Sequence, residues 1–185
     1  MKNIRDDFLT VSPYSRPGKF RPQTLGIVMH WTGWVGQSVP AKNVRDYFET
    51  LGQAKNGLAA SSNFVIGKDA EVLRLMPDEE ISYCSGWYDY APMIHERFLG
   101  NPNLCTISIE VVSKNFEGEY TLEVYAAQVH LAAWLCQKFD LNPRRDIIRH
   151  HDVCGPSHTA KDCPRYFVRN PAAWDQFKAD VEADV

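Results

Sequence analysis

Leu104-Cys105-Thr106-Ile107-Ser108-Ile109-Glu110-Val111-Val112 is the stretch that decides the fold class. Cys105, Ile107, Ile109 and Val111 alternate with Thr106, Ser108 and Glu110, which is the two-faced period of a β-strand. Alternation sets Glu110 on the face opposite the isoleucines, where a solvent-facing carboxylate is the ordinary outcome. Downstream, Asn115 to Tyr120 reads as a turn, and Thr121 caps a long helix to about Phe139. Its apolar positions (Leu122, Tyr125, Val129, Ala132, Ala133, Cys136, Phe139) recur at helical spacing, with His130 on the surface. Arg145 to His150 is expected to be the last strand, and Asn170-Pro171 to open a final helix through Trp174, Phe177 and Val181.

Upstream, Leu25 to His30 is a short apolar run and the first strand, after which Trp31-Thr32-Gly33-Trp34 is expected to turn the chain away. Ser38 can cap a helix with Pro40 in its first turn, running to about Leu51 with Val44, Tyr47, Phe48 and Leu51 on one face. Ser61 to Gly67 reads as a strand that turns at Lys68-Asp69-Ala70 into Glu71 to Leu75, a hairpin. A weaker strand is expected around Ile81 to Ser85. Residues 86–102, rich in Gly, Pro and aromatic rings, read as a long loop that either binds something or caps the core edge. Strands and helices interleave, so the class is α/β: a single domain over residues 25–185 with a central mixed sheet flanked by helices. Residues 1–24, with Ser12-Pro13-Tyr14-Ser15-Arg16-Pro17-Gly18, read as an N-terminal arm.

Composition excludes several classes. The chain of 185 residues is 44% hydrophobic and 23% charged, and its net charge of -3 argues against a nucleic-acid surface. No run approaches the ~18 apolar residues of a membrane span. The first ten residues lack the apolar core of a signal peptide, which implies cytoplasmic synthesis or another exit route. The five cysteines are an odd count without the spacing of a disulfide scaffold, and Cys105 and Cys136 read as buried thiols.

Chemistry concentrates near the C-terminus. Ile147-Ile148 lead into Arg149-His150-His151-Asp152-Val153-Cys154, followed by His158 and Lys161-Asp162-Cys163-Pro164. Imidazole and thiolate are the donors Zn²⁺ prefers, and a catalytic zinc takes three protein ligands and keeps one position open. His30 closes its apolar run as the doublet closes the last one, so two strand-end histidines and a loop cysteine are expected to converge on one metal. The rival is a closed structural site of His150, Cys154, His158 and Cys163, whose spacing lacks the usual Cys-x₂-Cys knuckles. A Cys154–Cys163 disulfide would consume a ligand and suits the missing export signal poorly.

The order of the His30 strand, Ser61-Ser62-Asn63-Phe64-Val65-Ile66, Ile107-Ser108-Ile109-Glu110, His150-His151-Asp152 and Lys161-Asp162-Cys163-Pro164 resembles one family over about residues 24–167. It is similar to the zinc-dependent N-acetylmuramoyl-L-alanine amidases of type 2, the group of peptidoglycan recognition proteins and phage endolysins. The resemblance implies that fold, one catalytic zinc on His30, His150 and Cys163, Glu110 as general acid/base, and Lys161 as oxyanion stabiliser. His151 matches a non-ligand position, and Cys154 and His158 match nothing. The implied substrate is the muramyl peptide of peptidoglycan, cut between N-acetylmuramic acid and L-alanine by a monomer without a separate wall-binding module. A phage or prophage endolysin is expected; the alternatives are a non-cleaving receptor on the same fold and a cytosolic amidase recycling wall fragments. The chain departs from the family at Ser62-Asn63, where some members carry a tyrosine or histidine. It departs again at Tyr83-Cys84-Ser85-Gly86, where relatives often read Trp-His-Ala-Gly.

Overall fold

A computed structural model of the chain describes residues 4–35, 39–54 and 57–185. Strand β5 (Thr106–Ser113) lies inside a sheet, between β2 (Gly26–Val35) and β3 (Phe64–Ile66). Beyond β2 comes β6 (Ile147–Arg149), and beyond β3 come β4 (Val72–Arg74) and then β1 (Ile4–Asp6), giving the order β1-β4-β3-β5-β2-β6. Strands β3, β5, β2 and β6 run parallel, while β4 is antiparallel to β3 and β1 parallel to β4. The sheet is mixed, as expected.

Both faces of the sheet are covered: β2 and β3 carry apolar side chains on each side, while β5 turns Ile107 and Ile109 to one side and Thr106, Ser108 and Glu110 to the other. Ile27, Met29, Ile107 and Ile109 pack in one cluster with Leu131 and Leu135 of helix α3 (Leu122–Phe139) and Phe177 and Val181 of α7 (Pro171–Asp184). On the other face Val65 meets Val44 and Phe48 of α1 (Ala41–Ala54), and Val28 meets Ile94 of α2 (Pro92–Arg97) and the following Phe98. A fully buried side chain of this size contributes about 1.5–3 kcal/mol. At the mouth of β2, a Cβ on Gly26 would sit 2.5 Å from the Asp146 carbonyl oxygen and 2.7 Å from Phe98, so only glycine fits. Thr121 caps α3 as read, its side chain accepting from the Val124 amide at 3.3 Å.

Five expectations are corrected. Trp31–Trp34 does not turn away: β2 continues to Val35 through an irregularity in its pairing with β5, with Gly33 at φ 68°. No strand forms at 81–85; isolated backbone bonds from Ile81 to Lys19 and from Ser61 to Tyr83, with side-chain bonds from Ser82 and Ser85, hold that segment. The loop after Gly86 contains α2, which buries Ile94 beneath the sheet. The last strand is shorter than read, because Pro143–Asp146 forms one helical turn, α4, and His150 already begins another, α5 (His150–Val153). The stretch read as an arm also lies against the sheet. Ile4–Asp6 is an edge strand, Leu9 is buried, Arg16 forks onto Glu80 at 2.7 and 2.8 Å, and Arg21 reaches the Thr106 carbonyl at 2.8 Å. The cap expected at Ser38 lies outside the described residues. Among the described residues no helix is long and apolar enough to cross a membrane.

Candidate metal centre

Parallel strands place their carboxyl ends together, and that edge is where open α/β sheets bind ligands. His30 on β2 pairs in register with Glu110 on β5, and His150 follows β6 directly. Both imidazoles are buried, and their Nδ1 atoms face each other at 3.0 Å. The Cys163 thiol joins them: one donor atom from each of His30, His150 and Cys163 lies within 4.8 Å of the others. His30, Cys84 and Glu110 form a second such group sharing His30. Cys154 and His158 enter neither. Cys154 Sγ donates to the His150 carbonyl at 3.4 Å and accepts from the Lys161 amide at 3.4 Å, and the exposed His158 ring stacks on Tyr88. The closed four-ligand alternative is therefore not assembled.

Local structure aims each group. The Asp152 carboxylate accepts from the Arg149 amide at 2.9 Å and from its guanidinium at 3.1 and 2.7 Å, capping the turn that starts at His150. Arg149 also reaches the Phe167 carbonyl at 3.0 Å and lies over the Trp174 ring. His151, read as a non-ligand, ties down the cysteine loop: its Nδ1 pairs with the Lys161 carbonyl at 2.8 Å and its amide donates to the Cys163 carbonyl at 2.8 Å. The His150 Nε2–H donates to the Gly86 carbonyl at 3.2 Å, which leaves its Nδ1 as a bare lone pair. Ser85 Oγ lies 3.3 Å from His30 Nε2.

Burial sets the protonation. It drives His30 well below the ordinary histidine range, with His150 and the Lys161 ammonium adding to the effect. Burial, then Lys161, lowers His150 to about 4 against the opposing bond to Gly86. Glu110 is raised to about 7 by burial, opposed by the Cys84 thiol, which donates to its Oε1 at 3.5 Å, and by Lys161. Its Oε2 is buried without a hydrogen-bond partner. Burial and then Glu110 push the Cys163 thiol upward, as burial, Glu110 and Cys163 do for Cys84. Two neutral imidazoles with converging nitrogens, a thiol beside them and an orphaned carboxylate oxygen are a donor set that fits a zinc ion.

These groups line the floor of a cleft of about 450 Å³ whose walls include Trp31, Tyr47, Tyr83, Lys161 and Arg165. The exposed Lys161 holds its ammonium 5.4 Å over the Trp87 ring, and Arg165 lies 4.6 Å over Trp31. Residues 20–166 match the Amidase_2 family, N-acetylmuramoyl-L-alanine amidase. The chain belongs to that family. It is 30% identical over 183 residues to a probable N-acetylmuramoyl-L-alanine amidase of Bacillus licheniformis, covering 99% of this chain and 48% of the relative. It is 26% identical to the N-acetylmuramoyl-L-alanine amidase BlyA of Bacillus subtilis (strain 168), with the same coverages. The chain thus spans about half the length of the curated relatives it matches. Among solved structures, a mutant endolysin from Bacillus subtilis superposes at a TM-score of 0.73 with 22% identity, over 98% of this chain and 99% of that one. The catalytic domain of XlyA gives 0.70 at 23% identity, over 97% and 99%. Both share the fold.

Sequence reasoning missed Cys84 as the neighbour of Glu110, and Asp152 and Arg149 as the cap beneath His150. The Arg149-x-x-Asp152 spacing at a helix start was the available signal for the cap. Cys84 carried none, because nothing local to it says that its loop folds over β5.

Proposed function

We propose that this chain is a zinc-dependent peptidoglycan amidase that hydrolyses the amide between the lactyl group of N-acetylmuramic acid and L-alanine of the stem peptide. The observation that carries this reading is the convergence of the His30 and His150 Nδ1 atoms, 3.0 Å apart, with Cys163 beside them and Glu110 across the strand register. His30, His150 and Cys163 hold the ion, which would supply Lewis-acid polarisation of the scissile carbonyl and acidify a water toward neutral pH. Glu110 takes a proton from the attacking water on its free Oε2 and returns it to the leaving amine. A carboxyl raised to about 7 sits near the pH at which such a group both accepts and returns a proton well. Lys161, on the cleft wall, neutralises charge developing on the carbonyl oxygen, a role commonly worth a few kcal/mol. The presence of every group needed for hydrolysis favours cleavage over a receptor that only binds.

The module includes the N-terminal residues from Ile4 onward, since β1, Leu9 and Arg21 are built into it. The biological role that fits best is a phage or prophage endolysin acting as a monomer on the wall. Mass spectrometry of purified peptidoglycan digested with and without a chelator tests the chemistry. Stem peptides with a free L-alanine amine should appear only without chelator. Glycosidic or inter-peptide cleavage, or release that ignores chelation, would exclude the assignment.

A further inference from the structure

The two proposed histidine ligands are 120 residues apart in sequence, yet their outer ring nitrogens are gripped by two consecutive residues. Gly86 offers its carbonyl to His150 Nε2 at 3.2 Å, and Ser85 offers its hydroxyl to His30 Nε2 at 3.3 Å. We propose that Ser85 and Gly86 form a clamp that sets the tautomer and ring orientation of both imidazoles for the metal, and that Asn103 anchors it. This inference rests on the zinc reading above and names positioning residues for it.

The chemistry of the clamp follows from what each group can do. A carbonyl oxygen only accepts, so Gly86 holds the His150 proton on Nε2 and leaves Nδ1 bare. A hydroxyl both donates and accepts. Without a cation between the rings, one Nδ1 must donate to the other; since His150 Nδ1 is bare, His30 Nδ1 carries the proton and its Nε2 accepts from Ser85. With a cation between them, both Nδ1 lone pairs must turn inward, and the His30 Nε2–H donates to Ser85 instead. Ser85 Oγ has Ser108 Oγ at 3.3 Å as its other partner, and that second hydroxyl takes the complementary role in either state. The Ser85 side chain is fully buried, so no water substitutes for it. Its amide donates to Asn103 Oδ1 at 2.8 Å, and the Asn103 amide in turn donates to Asn101 Oδ1 at 3.1 Å. The segment is thereby fixed from behind rather than by the histidines alone.

The test measures zinc affinity by competition with a chromophoric chelator for wild type, Ser85→Ala, Asn103→Ala, Asn103→Asp and His30→Ala, with the histidine Nε2 protons of zinc-loaded protein followed by ¹H–¹⁵N NMR. Loss of an outer-shell partner typically costs 10–100-fold in metal affinity. Ser85→Ala should bind zinc at least about tenfold more weakly, and the His30 Nε2 proton, slowly exchanging in wild type, should exchange fast. Asn103→Ala should weaken binding too, while Asn103→Asp, whose carboxylate still accepts from the Ser85 amide, should stay near wild type. Wild-type zinc affinity in Ser85→Ala, or equal losses in both Asn103 variants, overturns the clamp. Undiminished zinc affinity in His30→Ala would instead bring down the zinc reading itself.

Discussion

Glu110→Gln separates the function of this carboxylate from its cost to the fold. Glu110 Oε2 is buried without a partner, and burial raises the group from 4.5 to about 7. A difference of one pH unit between folded and unfolded states corresponds to about 1.4 kcal/mol, so full ionisation of Glu110 costs the metal-free fold about 3 kcal/mol. Access to water from the cleft reduces the realised figure to about 1–3 kcal/mol. The sign follows from linkage: the folded state holds this proton more tightly than the unfolded chain, so the contribution is fully favourable below pH 4.5 and is lost as pH rises through about 7. Glutamine has the same shape and never ionises. Chelated Glu110→Gln should therefore exceed wild type by about 1–3 kcal/mol at pH 8 and by almost nothing near pH 4.5. Urea unfolding followed by tryptophan fluorescence at the two pH values reads this difference. The same substitution should lower turnover by about 10²–10⁴ while zinc stays bound. A stability gain of equal size at both pH values would refute the electrostatic account, and unchanged turnover would refute the catalytic one.

Three further outcomes follow from the same structure. Both imidazoles are neutral at pH 8 while burial keeps the Cys163 thiol protonated, so zinc binding in a Glu110→Gln background should release about one proton; calorimetry in buffers of different ionisation enthalpy would expose a release of none or two. Arg149→Ala removes the fork on Asp152, the bond to Phe167 and the contact with Trp174; it should cost about 1–3 kcal/mol and weaken zinc retention, and unaltered zinc affinity would show that the cap does not aim His150. Phe177→Ala, fully buried on the far face of the sheet, should cost about 3–5 kcal/mol in chemical denaturation. The folded fraction should keep its zinc affinity, and a parallel loss of metal would deny that core and site are separable.

The periodic elements were legible because their period is written in neighbouring residues, although burial departs from it at Thr106, Ser108 and the exposed Leu122. The alternation in β5, the Thr121 cap and the spacing of Trp174, Phe177 and Val181 in α7 all reappear in the structure. Elements that depend on distant partners were not. The edge strand Ile4–Asp6 has too few apolar residues to announce itself and exists because β4 offers it a free edge. Ile81–Ser85 has a strand-like composition, but only isolated backbone bonds to Lys19 and Ser61 form there, and Ser82 and Ser85 add hydroxyl bonds to Asn63, His30 and Ser108. The metal-binding candidates were legible as residue types in a pattern. Their meeting was not, because it depends on strand order: β2 lies between β5 and β6 although Thr106, where β5 starts, comes 71 positions after Val35, where β2 ends, and no local signal announces that pairing.

The departure at Ser62-Asn63 then takes on a structural meaning. Ser62 Oγ bonds the Ser108 carbonyl at 2.8 Å, and Asn63 Oδ1 accepts from the Ser108 amide at 3.0 Å and from Ser82 Oγ at 2.9 Å, while its Nδ2 donates to the Glu80 carbonyl at 3.0 Å. The side chains of Ser62, Asn63 and Ser82 are all fully or almost fully buried. A buried network with its members satisfied specifies one register where methyl groups would pack in several. Here it pins β5 where Ser108 meets Ser85 and where Glu110 stands across from His30. A tyrosine or histidine in this segment would have to share the space with that network. In this chain the segment instead fixes the strand that carries Glu110, and in the proposed mechanism the burden of proton transfer falls on that carboxylate.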